Sequence, residues 1–411
     1  MCVATLHPVI DQYKGFGASG SRPNRINIDH CGPTSHITRM SPSAGEAERR
    51  TGGLEGVEVA DTALSHVDGA RGRLTVAGHD LEDLAGRVSF EEVCGLLWSG
   101  SLPDEAERER LRRAVAEGRE SAFADLPRLG DALRAPDAMD ALRAAVAHLR
   151  PQGHEPFPEV TAAMAVFAAA WARLRTGRPP LPPDPRLGHA ADYLRMVNDD
   201  APPAAARALD AYLVTVADHG LNASTFAARV VASTGSDLVS SVVAGLGALK
   251  GPLHGGAPGP VLDMIEAIGS AERARSWLEA ELAAGRRIMG MGHRVYRVRD
   301  PRAAVLEKAV ERLEADGSAR GRLALGRAVE GEAERLLAER HPGRALRANV
   351  EFYTALLLDA VGLTRELFTA TFAVGRTAGW CAHVREQRLT GRLIRPSARY
   401  VGPVPPGSRP R

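Results

Sequence analysis

Three histidines stand between glycines in an otherwise alanine-rich chain. They are His219 in Asp218-His219-Gly220-Leu221-Asn222, His254 in Gly251-Pro252-Leu253-His254-Gly255-Gly256-Ala257, and His293 in Gly290-Met291-Gly292-His293-Arg294-Val295-Tyr296. Imidazole exchanges a proton near neutral pH and both donates and accepts hydrogen bonds. Flanking glycines let backbone and ligand approach closely, and loops held by rigid helices are common seats of catalytic groups. One such histidine could equally cap a helix or close a turn. Three of them argue for one composite site that moves protons on a small organic molecule. Metal ligation is the rival reading, and the spacing serves it poorly: no His-x-x-x-His or His-Glu-x-x-His pair falls on a helix face. The Gly-Met-Gly-His stretch also lacks the G-x-G-x-x-G spacing and preceding strand of a dinucleotide loop.

The C-terminal part supplies charge. Glu351, in Asn349-Val350-Glu351-Phe352-Tyr353, is a lone carboxylate among apolar neighbours. Burial would raise its pKa and suit it to act as a base, whereas the plainer reading is an acid at a helix N-terminus. Arg376 in Ala373-Val374-Gly375-Arg376 and Arg395 in Leu393-Ile394-Arg395-Pro396 also lie in apolar surroundings. A buried arginine needs an anion, either a dicarboxylate ligand held in bidentate fashion or an internal Asp or Glu.

The elements that must position these groups are mostly helices. Helical spacing predicts helices over residues 90–99, 103–118, 130–149, 159–175, 203–217, 222–233, 237–249, 272–284, 302–316, 319–340 and 364–388, with Asn222 or Ser224 as an N-cap. The one clear strand signal is a hairpin between Val57 and Val76 around Asp68-Gly69, so the class is all-α. Pro-rich joints at 151–158 and 178–186 separate helices rather than domains. Residues 1–51, rich in Gly, Ser, Pro and Arg, read as a disordered leader, and Met40 is an alternative start.

Charge nearly cancels, with 52 Lys and Arg against 50 Asp and Glu, which gives no footprint for nucleic acid or a membrane surface. The four cysteines are widely spaced, against a disulfide framework or a zinc site. No apolar run approaches the roughly 18 residues a membrane span requires, and the N-terminus lacks a signal-peptide layout. The expectation is a cytoplasmic protein.

In order along the chain, DHGLNAS, GPLHGGA, GHRVYRVRDPR, NVEFY, GRTAGW and RLIRP resemble the citrate synthase family, and the resemblance covers residues 52 to about 403. It implies a helical homodimer with a large domain (52–256, resuming at 351–411) and a small domain (257–350), and an active site in the cleft between them. Closure of that cleft would bring His254, His293 and Glu351 together. By matching motif, His254 would stabilise the enol or enolate of an acyl-CoA formed when Glu351 removes a proton, and His293 would polarise the keto carbonyl of oxaloacetate. His219, Arg302, Arg376 and Arg395 would hold oxaloacetate, with Arg395 reaching in from the partner subunit. Met291, Gly292 and Arg297 would receive CoA, Arg297 at a phosphate. Acetyl-CoA or propionyl-CoA is the implied cosubstrate, with no permanently bound cofactor and no metal. The implied product is citrate, or 2-methylcitrate from propionyl-CoA; a weakly active or regulatory paralogue is the other reading.

The chain departs from the family pattern at Glu351, where most members have aspartate, at Gly220, where glutamate is usual, and at Pro258 after HGGA, where many have asparagine. One extra methylene displaces the carboxylate by about an ångström unless the backbone retreats, and such misplacement can cost on the order of a hundredfold in rate.

Overall fold

The computed structural model describes residues 53–403 except Glu55, Ala257, Arg294, 318–320, Arg399 and Val401. The leader expected over 1–51 lies outside the described residues. The chain divides into two units, Met1–Val57 and Glu58–Arg411. In the first, the Val57 N–H closes a turn on the Leu54 carbonyl.

The second begins with three antiparallel strands, β1 (Ser65–Asp68), β2 (Arg73–Val76) and β3 (His79–Asp80), with Ser65 opposite Val76 and Val76 opposite His79. The hairpin is where the sequence places it. Asp68 accepts the N–H groups of Ala70 and Arg71 and so rounds the connection into four residues rather than a tight Asp-Gly turn. The third strand was not expected; Ala77 and Gly78, both at positive φ, supply the second turn.

The rest is helical: α1 (Leu81–Leu84), α2 (Phe90–Ser99), α3 (Glu105–Asp125), α4 (Ala138–Ala147), α5 (Phe157–Arg175), α6 (His189–Asn198), α7 (Pro203–Val216), α8 (Ala223–Ser233), α9 (Leu238–Leu249), α10 (Pro258–Ile268), α11 (Ala271–Ala283), α12 (Pro301–Ala315), α13 (Leu323–Arg340), α14 (Val350–Ala360) and α15 (Phe368–Thr390). Capping explains many of the starts. Ser89 with Glu92 and Asp104 with Glu107 form capping boxes, and Asn222, Asp237, Asp300 and Asn349 accept first-turn N–H groups. The single helix expected over 130–149 is instead a short 3-10 turn, Ala132–Arg134, and then α4, because Pro136 interrupts and Asp137 caps anew. α3 runs past Gly118, which is spent on packing: a Cβ there would lie 2.9 Å from the Glu159 Cα of α5.

The two long helices α5 and α15 form the centre, buried on nearly every face. α15 presses so closely on the end of α7 that a Cβ on Gly379 would sit 2.2 Å from the Ala217 carbonyl oxygen and one on Gly375 2.6 Å from Val216 Cγ2. Only glycine permits that approach, and it brings Arg376 to the α7–α8 loop. Among the described residues no helix is long and apolar enough to cross a membrane.

Candidate active site

His219 follows α7 directly. Its neighbour Asp218 is buried and fully engaged: one carboxylate oxygen lies 3.1 Å from His383 Nε2, and the other accepts from the Gly220 N–H and the Ser65 hydroxyl. His383 Nδ1 faces a guanidinium nitrogen of Arg229 at 2.9 Å. That nitrogen can only donate, so Nδ1 accepts and Nε2–H donates to Asp218. A satisfied network thus pins both the His219 loop and the β1 strand. His219 itself is half-buried; burial, then Arg376 and Arg302, hold its pKa far below the ordinary value. It therefore works as a neutral imidazole.

His254 sits on the turn after α9, where the Gly255 N–H returns to the Leu249 carbonyl and a Cβ on Gly255 would lie 2.5 Å from that oxygen. Its Nε2 meets the Ser224 hydroxyl at 2.8 Å, and Ser224 also receives the Trp380 indole N–H at 3.3 Å. Ser224 has one proton and two acceptors beside it, Asn222 Oδ1 at 2.8 Å and His254 Nε2. When that proton goes to His254 Nε2, the ring carries its own hydrogen on Nδ1 and can donate it to a substrate. Burial, then Arg376, lowers the His254 pKa to about 4, so this ring too is neutral at physiological pH.

His293, Arg302 and Glu351 are tied together by backbone. The Gly292 N–H donates to the Arg347 carbonyl at 2.7 Å, the Asn349 N–H to the Gly290 carbonyl at 2.9 Å, and the Asn349 side chain to the Gly292 carbonyl at 2.9 Å. His293 Nδ1 accepts the N–H groups of Val295 and Tyr296, both at 3.0 Å, which leaves the proton on Nε2. Arg302 Nη2 stands 3.4 Å from that Nε2. Both are donors in the neutral tautomer, so they converge on the space where an acceptor oxygen would sit. The His293 pKa is lowered to about 4 by burial and then by Arg302. Glu351 occupies the first turn of α14 and carries no hydrogen bond on its carboxylate among the described residues. Burial raises its pKa to about 7 against the pull of Arg302 and Arg376. Glu351 is thus the helix N-terminal acid of the plainer reading, and burial raises its pKa as the other reading expects.

Arg376 is the most informative residue. It is fully buried, its Nε donates to the Val216 carbonyl at 2.7 Å, and Nη1 and Nη2 have no partner. No carboxylate pairs with it among the described residues, and burial lowers its pKa to about 10. Asp218 attracts its charge without pairing with it, and among the described residues the two terminal nitrogens remain an open bidentate donor edge of the kind a ligand carboxylate requires. By contrast Arg302, 3% exposed, pairs with Asp300 through Nε at 3.0 Å and Nη2 at 2.7 Å.

A family model described as "Citrate synthase, C-terminal domain" matches residues 53–397. The chain belongs to the citrate synthase family. It is 40% identical over 378 residues to the citrate synthase of Haloferax volcanii, covering 87% of this chain and 97% of that one. It is also 39% identical over 381 residues to a 2-methylcitrate synthase of Mycobacterium tuberculosis, covering 88% and 93%. Among solved structures, citrate synthase from Pyrobaculum aerophilum superposes with a TM-score of 0.77 at 35% identity, covering 87% of this chain and 94% of that one. The Thermoplasma acidophilum citrate synthase in ternary complex with carboxymethyl coenzyme A and oxaloacetate superposes with 0.76 at 28%, covering 87% and 98%.

Within this citrate synthase family fold, electrostatic coupling joins His219, His254, Arg302, Arg376 and Glu351, and direct contact joins His293 to Arg302. Within this chain Arg395 is not among them: it is exposed and lies beyond the end of α15. Arg297 is also exposed, with its N–H on the Gly69 carbonyl at 2.8 Å, so the β1–β2 turn abuts the loop expected to receive CoA. Met291 bridges to Ala348, next to Gly292 in the backbone clasp. Ser224 entered the sequence reading only as an alternative cap, and Asp300 only as part of a motif; Asn222 takes the capping role and frees Ser224 for His254. Two cavities, of about 380 and 600 Å³, lie elsewhere and are lined by none of these histidines.

Proposed function

We propose that the chain condenses the acyl group of acetyl-CoA with oxaloacetate and hydrolyses the resulting thioester to citrate and CoA. The buried Arg376, unpaired at both terminal nitrogens beside a base of pKa about 7, carries this reading. Arg376 and the free edge of Arg302 hold the oxaloacetate carboxylates, with His219 nearby as a neutral donor. Glu351 removes a proton from the thioester methyl group while His254 Nδ1–H stabilises the enol or enolate oxygen. The enol carbon attacks the keto carbon, which His293 Nε2–H has polarised, and His293 then protonates the alkoxide. Water completes the cleavage, releasing CoA as its thiol. The thioester already carries the activation, so the reading calls for no metal or redox cofactor.

The same reading makes 257–350 a small domain closing on the rest, gives Met291, Gly292 and Arg297 contacts with CoA, and assigns Arg395 to the site of a partner subunit in a homodimer. The likeness to a 2-methylcitrate synthase favours propionyl-CoA as a second acyl donor; one methylene in a pocket is worth only about 1–3 kcal/mol of discrimination. Thiol release from each thioester, with wild type and Glu351→Gln, tests the assignment. Wild type should release CoA from acetyl-CoA, and Glu351→Gln should not, while both bind oxaloacetate. No release from either thioester by a wild type that binds oxaloacetate would overturn it. His254→Ala should abolish turnover with little change in oxaloacetate affinity, and Arg395→Ala should weaken that affinity.

A further inference from the structure

The site has to solve a conflict. Holding a dicarboxylate calls for arginines, yet an arginine beside Glu351 makes that carboxylate a poor base. Arg302 and Arg376 both pull the Glu351 proton off.

We propose that Asp300 is the positioning residue that resolves this conflict, by clamping Arg302 and the N-terminus of α14 with one carboxylate and offsetting the arginine's charge where Glu351 feels it. The proposal rests on the functional reading above. Asp300 is 1% exposed and accepts four hydrogen bonds: from the Arg302 N–H at 3.0 Å, Arg302 Nε at 3.0 Å, Arg302 Nη2 at 2.7 Å and the Val350 N–H at 3.2 Å. Its own N–H donates to the Ala348 carbonyl at 3.3 Å. The residue immediately before Glu351 is therefore fastened to the same carboxylate that orients the guanidinium. Arg302 Nη1 has no partner among the described residues, so the clamp presents one edge of the arginine to substrate and occupies the other. An ordinary N-cap needs only the first of these bonds; the contacts to Arg302 and to a second helix fall outside that role.

The groups facing Glu351 are few. Arg302 comes from α12 and Asp300 from its N-cap, Arg376 from α15 and Tyr212 from α7. From α13, Glu330 is occupied by Arg299 and Tyr353, and α10 offers the apolar Val261 beside Phe352. Asp300 is the one anion among them that can offset Arg302, and its charge raises the proton affinity of Glu351.

The test is Asp300→Asn against Asp300→Glu, with two readouts. In the pH profile of kcat, the acid limb of Asp300→Asn should move to lower pH, with the plateau down on the order of tenfold from the weaker base and KM for oxaloacetate raised. Asp300→Glu keeps the charge but shifts the clamp, so it should lose kcat with the limb where wild type has it. Infrared difference titration of the Glu351 carboxyl, assigned by Glu351→Gln, reports the same shift without turnover and for any variant that folds. A slow Asp300→Asn with an unmoved limb, or a carboxyl titrating as in wild type, would reduce Asp300 to a structural residue. A limb displaced in Asp300→Glu would do so as well, and decides the matter if Asp300→Asn does not fold. Absence of CoA release by wild type would instead sink the functional reading, and the infrared titration would still judge Asp300.

Discussion

At the scale of single residues, the site uses neutral imidazoles and one reluctant carboxylate. His254 and His293 titrate at about 4, far below working pH, so with Glu351 as the proposed base its pKa of about 7 should set the acid side of the kcat/KM profile for oxaloacetate. Arg376 at about 10 sets the basic side, since deprotonation removes the anchor for a carboxylate. The expected profile is a bell that rises through pH 7 and falls through pH 10; an acid limb near 4 would remove Glu351 as the base. Arg376→Met tests the unpaired guanidinium directly. Oxaloacetate binding should fall by two orders of magnitude or more, given about 1.5–3 kcal/mol for each hydrogen bond to a charged group, while the melting temperature holds or rises because an uncompensated buried charge is gone. Titration calorimetry and thermal unfolding read the two effects. His219, His254, His293, Glu351 and Arg376 were legible because their types are rare in apolar or glycine-rich settings. Asp300 was not: an Asp before a Pro at a helix start looks like any N-cap, and its grip on Val350 spans fifty positions in sequence.

At the scale of elements, most helices were readable from spacing, the deeply buried α5 and α15 among them, whereas α6, α10 and α14 fell outside the expected ranges. α14 is apolar on most faces, so a search for a polar stripe passes over it. α10 opens Pro-Gly-Pro, which reads as a loop until its later apolar positions are packed. The contact of α15 with α7 was equally hidden, because glycine signals nothing about which helix it lets in. Gly379→Ala would drive a methyl into the Ala217 carbonyl and push the two helices apart. It should destabilise by about 1–3 kcal/mol and, by shifting Arg376 from Val216, weaken oxaloacetate binding as well. Denaturant unfolding with parallel calorimetry checks both; an unchanged affinity would mean that Arg376 is placed by something other than this contact.

For the whole molecule, proton linkage and substrate linkage act on the same centre. His189, His254 and His293 titrate at about 3, 4 and 4 in the fold, against about 6.5 when unfolded. The unfolded chain binds the extra protons, so their contribution is fully present above pH 6.5 and is lost as pH falls toward 4. Glu351 and the buried Asp210 act with the opposite sign, since pKa values raised to about 7 and about 8 make the fold bind the extra proton over part of this range. Three imidazoles outweigh two carboxyls, and thermal melts should show stability falling between pH 6.5 and 4. Oxaloacetate at a hundred times its dissociation constant should add about 2.7 kcal/mol. The unmatched charge of Arg376 then bears on how long a molecule survives. Without oxaloacetate the middle of α15 surrounds a guanidinium whose terminal nitrogens have no hydrogen-bond partner among the described residues, and the open forms that a protease can cut are more populated. Scarcity of the keto acid would shorten the protein's half-life, and abundance would lengthen it. Limited proteolysis with and without oxaloacetate should show protection that Arg376→Met no longer gains, so that the amount of catalyst follows the supply of the compound it consumes.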